Sequence, residues 1–468
     1  MEYAIGILLL FTFFGLAYYC IKGHNMMIGF LIMAVIWTVL PLGGSLLAGS
    51  SFVADNPILQ IGGESGNALI DILNGIYQSA PEGRGSILVN VCWGAWFGRV
   101  LLDTGIASTL IRKTVELGGD RPMLTTILLN IVTALIFTSM SGAGPVIAIG
   151  IIVLPILLSL GLPKHIALFT FMGSVAAGDY LNPVYFQQYR AYFLATDEMP
   201  EFTLGWYTRQ WGLLALVIML AATCLMTVLY FRRSKASHAW AAQPEAAPQQ
   251  PQKDAPWYTL ILPIVPVVLN IALNFSLIGG FIVAGMLALL LCRKFKTGKN
   301  AFRSNCALIS KQFFDGVVDS APLFGFMLTL AMFQSVAEYA SPYFKVILGG
   351  VMPTSELVVC VVFAIFLCLG LFRGPLSLAG CGAATVGVLS SVASFSVPFL
   401  YAVFAIPTIT VNIGSCISQS WVSWGIAYAK VESKDFFRLS IPNAYVAGIP
   451  LYIAAYFCMS GLGSQWYL

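Results

Sequence analysis

The sequence predicts an all-α, polytopic membrane protein of about 10–12 transmembrane helices, built from two halves that repeat one another. Three observations carry that expectation. Hydrophobic residues make up 58% of the 468 and charged residues 9%, where a soluble domain carries about 25% charged. The apolar runs are long and unbroken, close to the ~20 residues a helix needs to cross hydrocarbon. Two further regions, 140–196 and 373–430, are just as apolar but are interrupted again and again by Gly, Pro, Ser, Asn and Gln.

This balance excludes a cytosolic enzyme, a disulfide-stapled secreted scaffold and a disordered chain, because so few charges cannot clothe a soluble surface of this size. Membrane barrels show short alternating segments, so continuous runs mean helices. The net charge of +4 is small and the basic residues lie in loops, which implies no nucleic-acid surface. The ten Cys include no CxxC and no paired Cys/His spacing, and read as small apolar packing residues. No metal site and no cofactor is expected.

In chain order, spans are expected near 3–21, 25–46, 86–102, 122–139, 206–231, 258–273, 277–292, 321–337, 354–372 and 440–458. The first lacks a basic leader and is as long as a span, so it reads as a retained helix rather than a signal peptide. Pro, Gln and Ala dominate 232–257, which cannot build a core and reads as a flexible cytoplasmic linker. The chain thus divides into an N-terminal half, 1–231, the linker, and a C-terminal half, 258–468. Arg232, Arg233, Lys235 and the basic stretch Arg293–Arg303 place one side in the cytoplasm. The acidic loop carrying Asp55 and Glu64 and the stretch Asp197–Glu201 fall on the other side, with the N-terminus outside.

Segment 138–162 matches 371–395 in its pattern of small and apolar residues, and 179–192 lines up with 411–428. Corresponding interruptions in two halves point to the binding site of a secondary transporter. A helix broken inside a membrane leaves N–H and C=O groups unmet, tolerated only where the chain is buried or lines a wet cavity. Half-helix N-termini then suit an anion, and free carbonyls a cation. Two pairs of breaks fit: Ser141–Pro145 with Arg373–Ser377, and Asp179–Pro183 with Asn412–Ser415. They supply the candidate substrate contacts Ser141, Gly142, Gly144, Asn182, Gln187, Arg373, Gly374, Ser377, Asn412, Ser415 and Gln419. The competing explanation is that small residues here only let helices pack closely.

Arg373 ends the apolar run Val358–Phe372 and precedes Gly-Pro. A guanidinium inside the membrane domain is costly and needs a partner, and its planar fork fits a carboxylate. The alternative is an arginine snorkelling to the interface. Asp179 follows the apolar stretch His165–Gly178 and is the candidate coupling residue, carrying a proton or pairing with Arg373; otherwise it caps a helix at the boundary. Arg99 and Asp103, spaced i,i+4, are expected to satisfy each other, and Asp319 to be interfacial. Trp421 and Trp424 beside the second break are candidates for lining a cavity. No GK[ST] loop, HExxH or GxSxG occurs, so neither an ATP-driven pump nor an intramembrane enzyme is expected.

The segments FGRVLLDTGIASTLIRKTVELGG (97–119) and PIVPVVLN (263–270), with the arginine-containing break at 373, resemble the gluconate permease family. The chain also resembles the citrate–metal symporters within the wider ion-transporter superfamily. That resemblance implies two inverted repeats, each with re-entrant hairpins and a discontinuous helix, with Ser141–Pro145 and Arg373–Ser377 around the substrate. It also implies H+- or cation-coupled uptake of an organic anion. The chain departs from the gluconate pattern where GDYLNPVYFQQ replaces a His- and Pro-rich segment and NIGSCISQSW replaces an NDPGFW-like one, which argues against a sugar acid. The expected function is therefore a symporter of the cell inner membrane that moves a small organic anion, a carboxylate, with H+ or Na+. Its partners are that anion and the lipid bilayer, with a homodimer open to it. A cation/proton antiporter of the same superfamily and a non-transporting sensor or scaffold are the alternatives.

Overall fold

The computed structural model describes residues 2–22, 24–47, 52, 67–119, 121–193, 199–234, 254–348, 350, 353–380, 382, 385, 386, 389, 390, 393–463 and 466. Among them every regular element is helical. Most of the expected linker, and the loop residues Asp55 and Glu64, lie outside the described residues.

The N-terminal half opens with two apolar helices, α1 (Glu2–Ile21) and α2 (Met26–Leu47), followed by the short α3 (Ala68–Asn74). The long α4 (Gly85–Thr104) stops at Gly105, whose φ of 80° is reached cheaply only by glycine, and α5 (Ile106–Gly118) turns away as an amphipathic helix. Beyond it come α6 (Pro122–Phe137), α7 (Ala143–Ser159), α8 (Lys164–Asp179), α9 (Pro183–Arg190) and α10 (Leu213–Arg233). The C-terminal half holds α11 (Val265–Leu273), α12 (Leu277–Leu291), the 39-residue α13 (Ala301–Tyr339), α14 (Ser341–Leu348) and α15 (Glu356–Ile365). It closes with α16 (Val397–Ile406), α17 (Ser420–Ala429) and α18 (Ser433–Met459).

Three expectations about spans need correction. The run 258–273 is two pieces, a 3₁₀ turn Trp257–Ile261 and α11, because Pro263 and Pro266 each withhold an N–H from a continuous ladder. The run 354–372 bends by 65° where α15 gives way to the 3₁₀ segment Leu367–Arg373. The run 321–337 is only the second part of α13, whose first part carries too many polar residues to be seen by hydropathy. Among the described residues, four helices are long and apolar enough to cross a membrane singly, or up to six with each bent pair taken as one span, and further shorter apolar helices stand beside them.

Packing sorts the helices into two groups. In one, α13 lies against α2 and α4, and α12 against α4. In the other, α8 is surrounded by α6, α10, α17 and α18, with every residue from Ile166 to Asp179 buried. The large apolar residues left outside, such as Phe11 at 73% and Phe457 at 77% exposed, face where lipid belongs. The same order recurs in both halves. A wholly buried helix (α8, or α16 with its π-helical extension Pro407–Ile413) runs into a break, then a short helix, then a long span.

Candidate functional site

The first-half break is closed by one side chain. Asn182, fully buried, donates from Nδ2 to Phe137 O and Met140 O, both at 2.9 Å, and so takes up carbonyls left open at the end of α6. Its Oδ1 accepts from Val184 N (2.9 Å) and Tyr185 N (3.3 Å), capping α9. In this structure all of its bonding capacity is spent on backbone. Beside it, Gly142 has a φ of 90° and its N–H points to Tyr185 OH at 3.4 Å. Ser141, Gly142 and Gly144 are half-buried at the start of α7.

An internal carboxylate occupies that helix start. Arg99 on α4 donates from Nη2 to Asp319 Oδ1 at 2.8 Å, with Nε 2.7 Å from Oδ2. A Cβ on Gly144 would come within 2.7 Å of Asp319 Oδ2. Asp319 is thus paired, and Arg99 does not pair with Asp103; Asp103 instead accepts from Gln312 Nε2 at 3.0 Å. The i,i+4 spacing was outbid because α13 packs directly on α4 and presents both partners.

The second-half break is finished differently. Asn412 Nδ2 reaches Gly370 O at 3.3 Å and its Oδ1 accepts from Gln419 Nε2. Ser415 Oγ donates to Thr410 O at 3.2 Å. Phe372 and Arg373 both take left-handed backbone, with φ of 52° and 58°, a conformation that side-chain-bearing residues adopt at a cost. Gly374 and Gly380 sit where a Cβ would strike the carbonyls of Leu369 and Arg373, so the segment folds tightly on itself. Ser377 is fully buried and its Oγ has no hydrogen-bond partner.

Helix α13 brings the breaks toward one another. Asp319 meets Gly144, and seven residues on, about 10 Å along the helix, Phe326 carries the Arg373 guanidinium 5.9 Å from its ring centre. Two turns further, Gln334 accepts from Arg84 Nη2 at 2.7 Å and donates to Tyr192 O at 3.1 Å. Between these groups stands a row that the sequence reading did not single out. Tyr185, Tyr189 and Tyr192 lie on one face of α9 and its continuation, all at least nine-tenths buried, with Tyr185 and Tyr189 stacked at 5.8 Å. Tyr189 is within electrostatic reach of both Asp179 and Arg373, and Tyr192 of Arg373 and Arg84. Their i, i+4, i+7 spacing was the available signal.

Asp179 is enclosed at 2% exposure, its Oδ1 has no hydrogen-bond partner, and it forms no ion pair among the described residues. The direct Asp179–Arg373 pair considered from sequence is not formed among the described residues, and Tyr189 is within electrostatic reach of both. Of the paired glutamines, Gln188 is enclosed at 3% exposure and the nominated Gln187 is half-buried. Trp424 stacks on Tyr428 and rests on Gly150, while Trp421 Nε1 donates to Ile413 O at 3.1 Å; both brace α17 against its neighbours.

No family model matches the chain, and no curated protein matches it. Among solved structures it is similar to the YdaH transporter of Alcanivorax borkumensis, whose crystal structure is described as revealing an unusual topology. The similarity covers 92% of this chain and 99% of that one, with a TM-score of 0.59 and 14% identity. At that identity the likeness speaks for the fold, an all-α polytopic membrane fold with broken helices. The gluconate permease and citrate symporter families find no match in these comparisons.

Proposed function

We propose that the chain is a secondary transporter of the cell inner membrane for a small organic anion, a carboxylate, coupled to H+ or Na+. The observation that carries this reading is that the enclosed Tyr189 lies within electrostatic reach of both Asp179, a buried carboxylate with no ion pair among the described residues, and the Arg373 guanidinium from the later part of the chain. Neither charge is cheap to hold inside a membrane, and such groups mark transport pathways. Arg373 would hold the substrate carboxylate through its planar fork, with Ser377 Oγ as a further donor. Asp179 would carry the coupling charge, since an ionised carboxylate in that enclosure is costly until a proton or cation joins it. The likeness to a solved transporter supports the reading at the level of fold.

The test is counterflow in proteoliposomes with a panel of radiolabelled mono- and dicarboxylates. Saturable exchange that is lost in Arg373→Lys and becomes insensitive to pH in Asp179→Asn is the expected result. Asp179, with no ion pair among the described residues, also favours a second reading, a cation/proton antiporter. Sodium-driven proton movement with no carboxylate exchange would select it.

A further inference from the structure

Away from Asp179 and Arg373, a second enclosed polar cluster lies where α6, α8, α10 and α18 cross. Thr170, Thr223 and Thr227 are fully buried, and Asn130, Ser440 and Asn443 are at most 3% exposed. Asn130 Nδ2 donates to Thr170 Oγ1 at 2.8 Å, the Thr170 and Thr227 hydroxyls share a bond of 2.8 Å, and Thr227 Oγ1 donates to Thr223 O at 2.7 Å. Since Thr227 has spent its proton on a helix carbonyl, Thr170 must donate to it. The protons of this row are committed, and what Thr227 still offers is lone pair.

Helix α18 runs antiparallel to α10 here. Tyr230 OH donates to Leu439 O at 3.2 Å and Asn443 Nδ2 to Thr223 Oγ1 at 3.5 Å, which sets Ser440 level with Thr227. Ser440 Oγ and Asn443 Oδ1 are enclosed and have no hydrogen-bond partner. Gly173 admits the cluster, since a Cβ there would come within 2.7 Å of Thr223 Oγ1. Close packing alone needs small residues, not hydroxyl and amide oxygens left unmet in hydrocarbon.

We propose that this crossing is a seat for a dehydrated sodium ion held by the neutral oxygens of Thr223, Thr227, Ser440 and Asn443. Hydroxyl and amide oxygens suit a hard cation, and the absence of any carboxylate among these ligands fits a single positive charge better than a divalent one. A part for this seat in coupling, beside Asp179, rests on the proposed transport function; its affinity for sodium does not.

The test is thermal unfolding of the purified full-length protein in NaCl against equal concentrations of KCl and choline chloride. We expect a saturable, sodium-specific rise in Tm of a few degrees. It should vanish in Ser440→Ala/Asn443→Leu and in Thr227→Val, and persist in Thr227→Ser, which keeps the oxygen and guards against a variant that merely misfolds. Equal Tm in all three salts, or a sodium shift that survives in Ser440→Ala/Asn443→Leu, overturns the seat. A sodium-specific shift in a protein that exchanges no carboxylate keeps the seat and sinks the carboxylate-symport reading.

Discussion

The two breaks occupy the same place in the order of their halves, yet they are finished in opposite ways. In the first, Asn182 makes four hydrogen bonds to backbone, two as donor and two as acceptor, and little polar capacity remains on it. In the second, Asn412 reaches backbone once, at Gly370 O, and otherwise pairs with Gln419, Ser377 Oγ has no partner among the described residues, and two consecutive side-chain-bearing residues are held in left-handed backbone. A break whose backbone is fully met is a fixed wall. One that retains unused donors and stored strain is where a ligand is most readily accommodated, because binding can supply what the fold leaves open. The difference teaches that an interruption in a membrane helix is not by itself a binding site; how its polar groups are spent decides that.

The sharpest break of this comparison is at Arg373. Arg373→Ala should lower carboxylate exchange by about 100-fold or more, since a desolvated charge partner is removed. Arg373→Gly should do the same while leaving Tm equal or higher, because glycine relieves the left-handed strain of about 1–2 kcal/mol. Exchange surviving in Arg373→Gly would place the substrate elsewhere. At the other wall, Asn182→Ala should cost about 3 kcal/mol of stability through lost backbone bonds, read as a lower Tm. An unchanged Tm with a raised KM would reverse the contrast and make Asn182 a substrate contact.

Smaller effects refine the picture. Asp319→Asn should destabilise by about 1–3 kcal/mol, because the half-exposed Arg99 loses its ionic partner. Finding no loss of stability would mean that the pair only decorates the α4–α13 seam. Last, Gln187→Ala should stay within about 0.5 kcal/mol of the parent in stability and leave exchange intact, whereas Gln188→Ala should disturb both. Equal effects at the two positions would show that burial on α9 does not separate them.

Legibility in the sequence varied with the range of the interaction. Long apolar runs are local properties, so α1, α2, α4 and α6 lie where hydropathy puts them. The bend after α15 was hidden because Leu367–Arg373 is as apolar as a straight helix would be. Half of α13 was hidden because Asp315 and Asp319 lower its hydropathy, although a partner on α4 neutralises Asp319. Among candidate site residues, Ser377 Oγ and Asp179 Oδ1 have no hydrogen-bond partner among the described residues, and Arg373 stands in left-handed backbone. Asn182 bonds to backbone, and Asn412 bonds to Gly370 O and to Gln419. The tyrosine row had a readable spacing, but aromatic stripes on a helix are ordinarily core.

The amino-acid sequence alone determined the solvent of this protein, its helical class and the positions at which helices must stop. Those follow from the transfer energy of side chains and from the dihedral limits of Gly and Pro, which act within a few residues. Only the tertiary structure decided which polar groups at those stops are satisfied. A hydrogen bond to Phe137 O, or a carboxylate laid against Gly144 from α13, depends on segments far apart in the chain arriving within about 3 Å of each other.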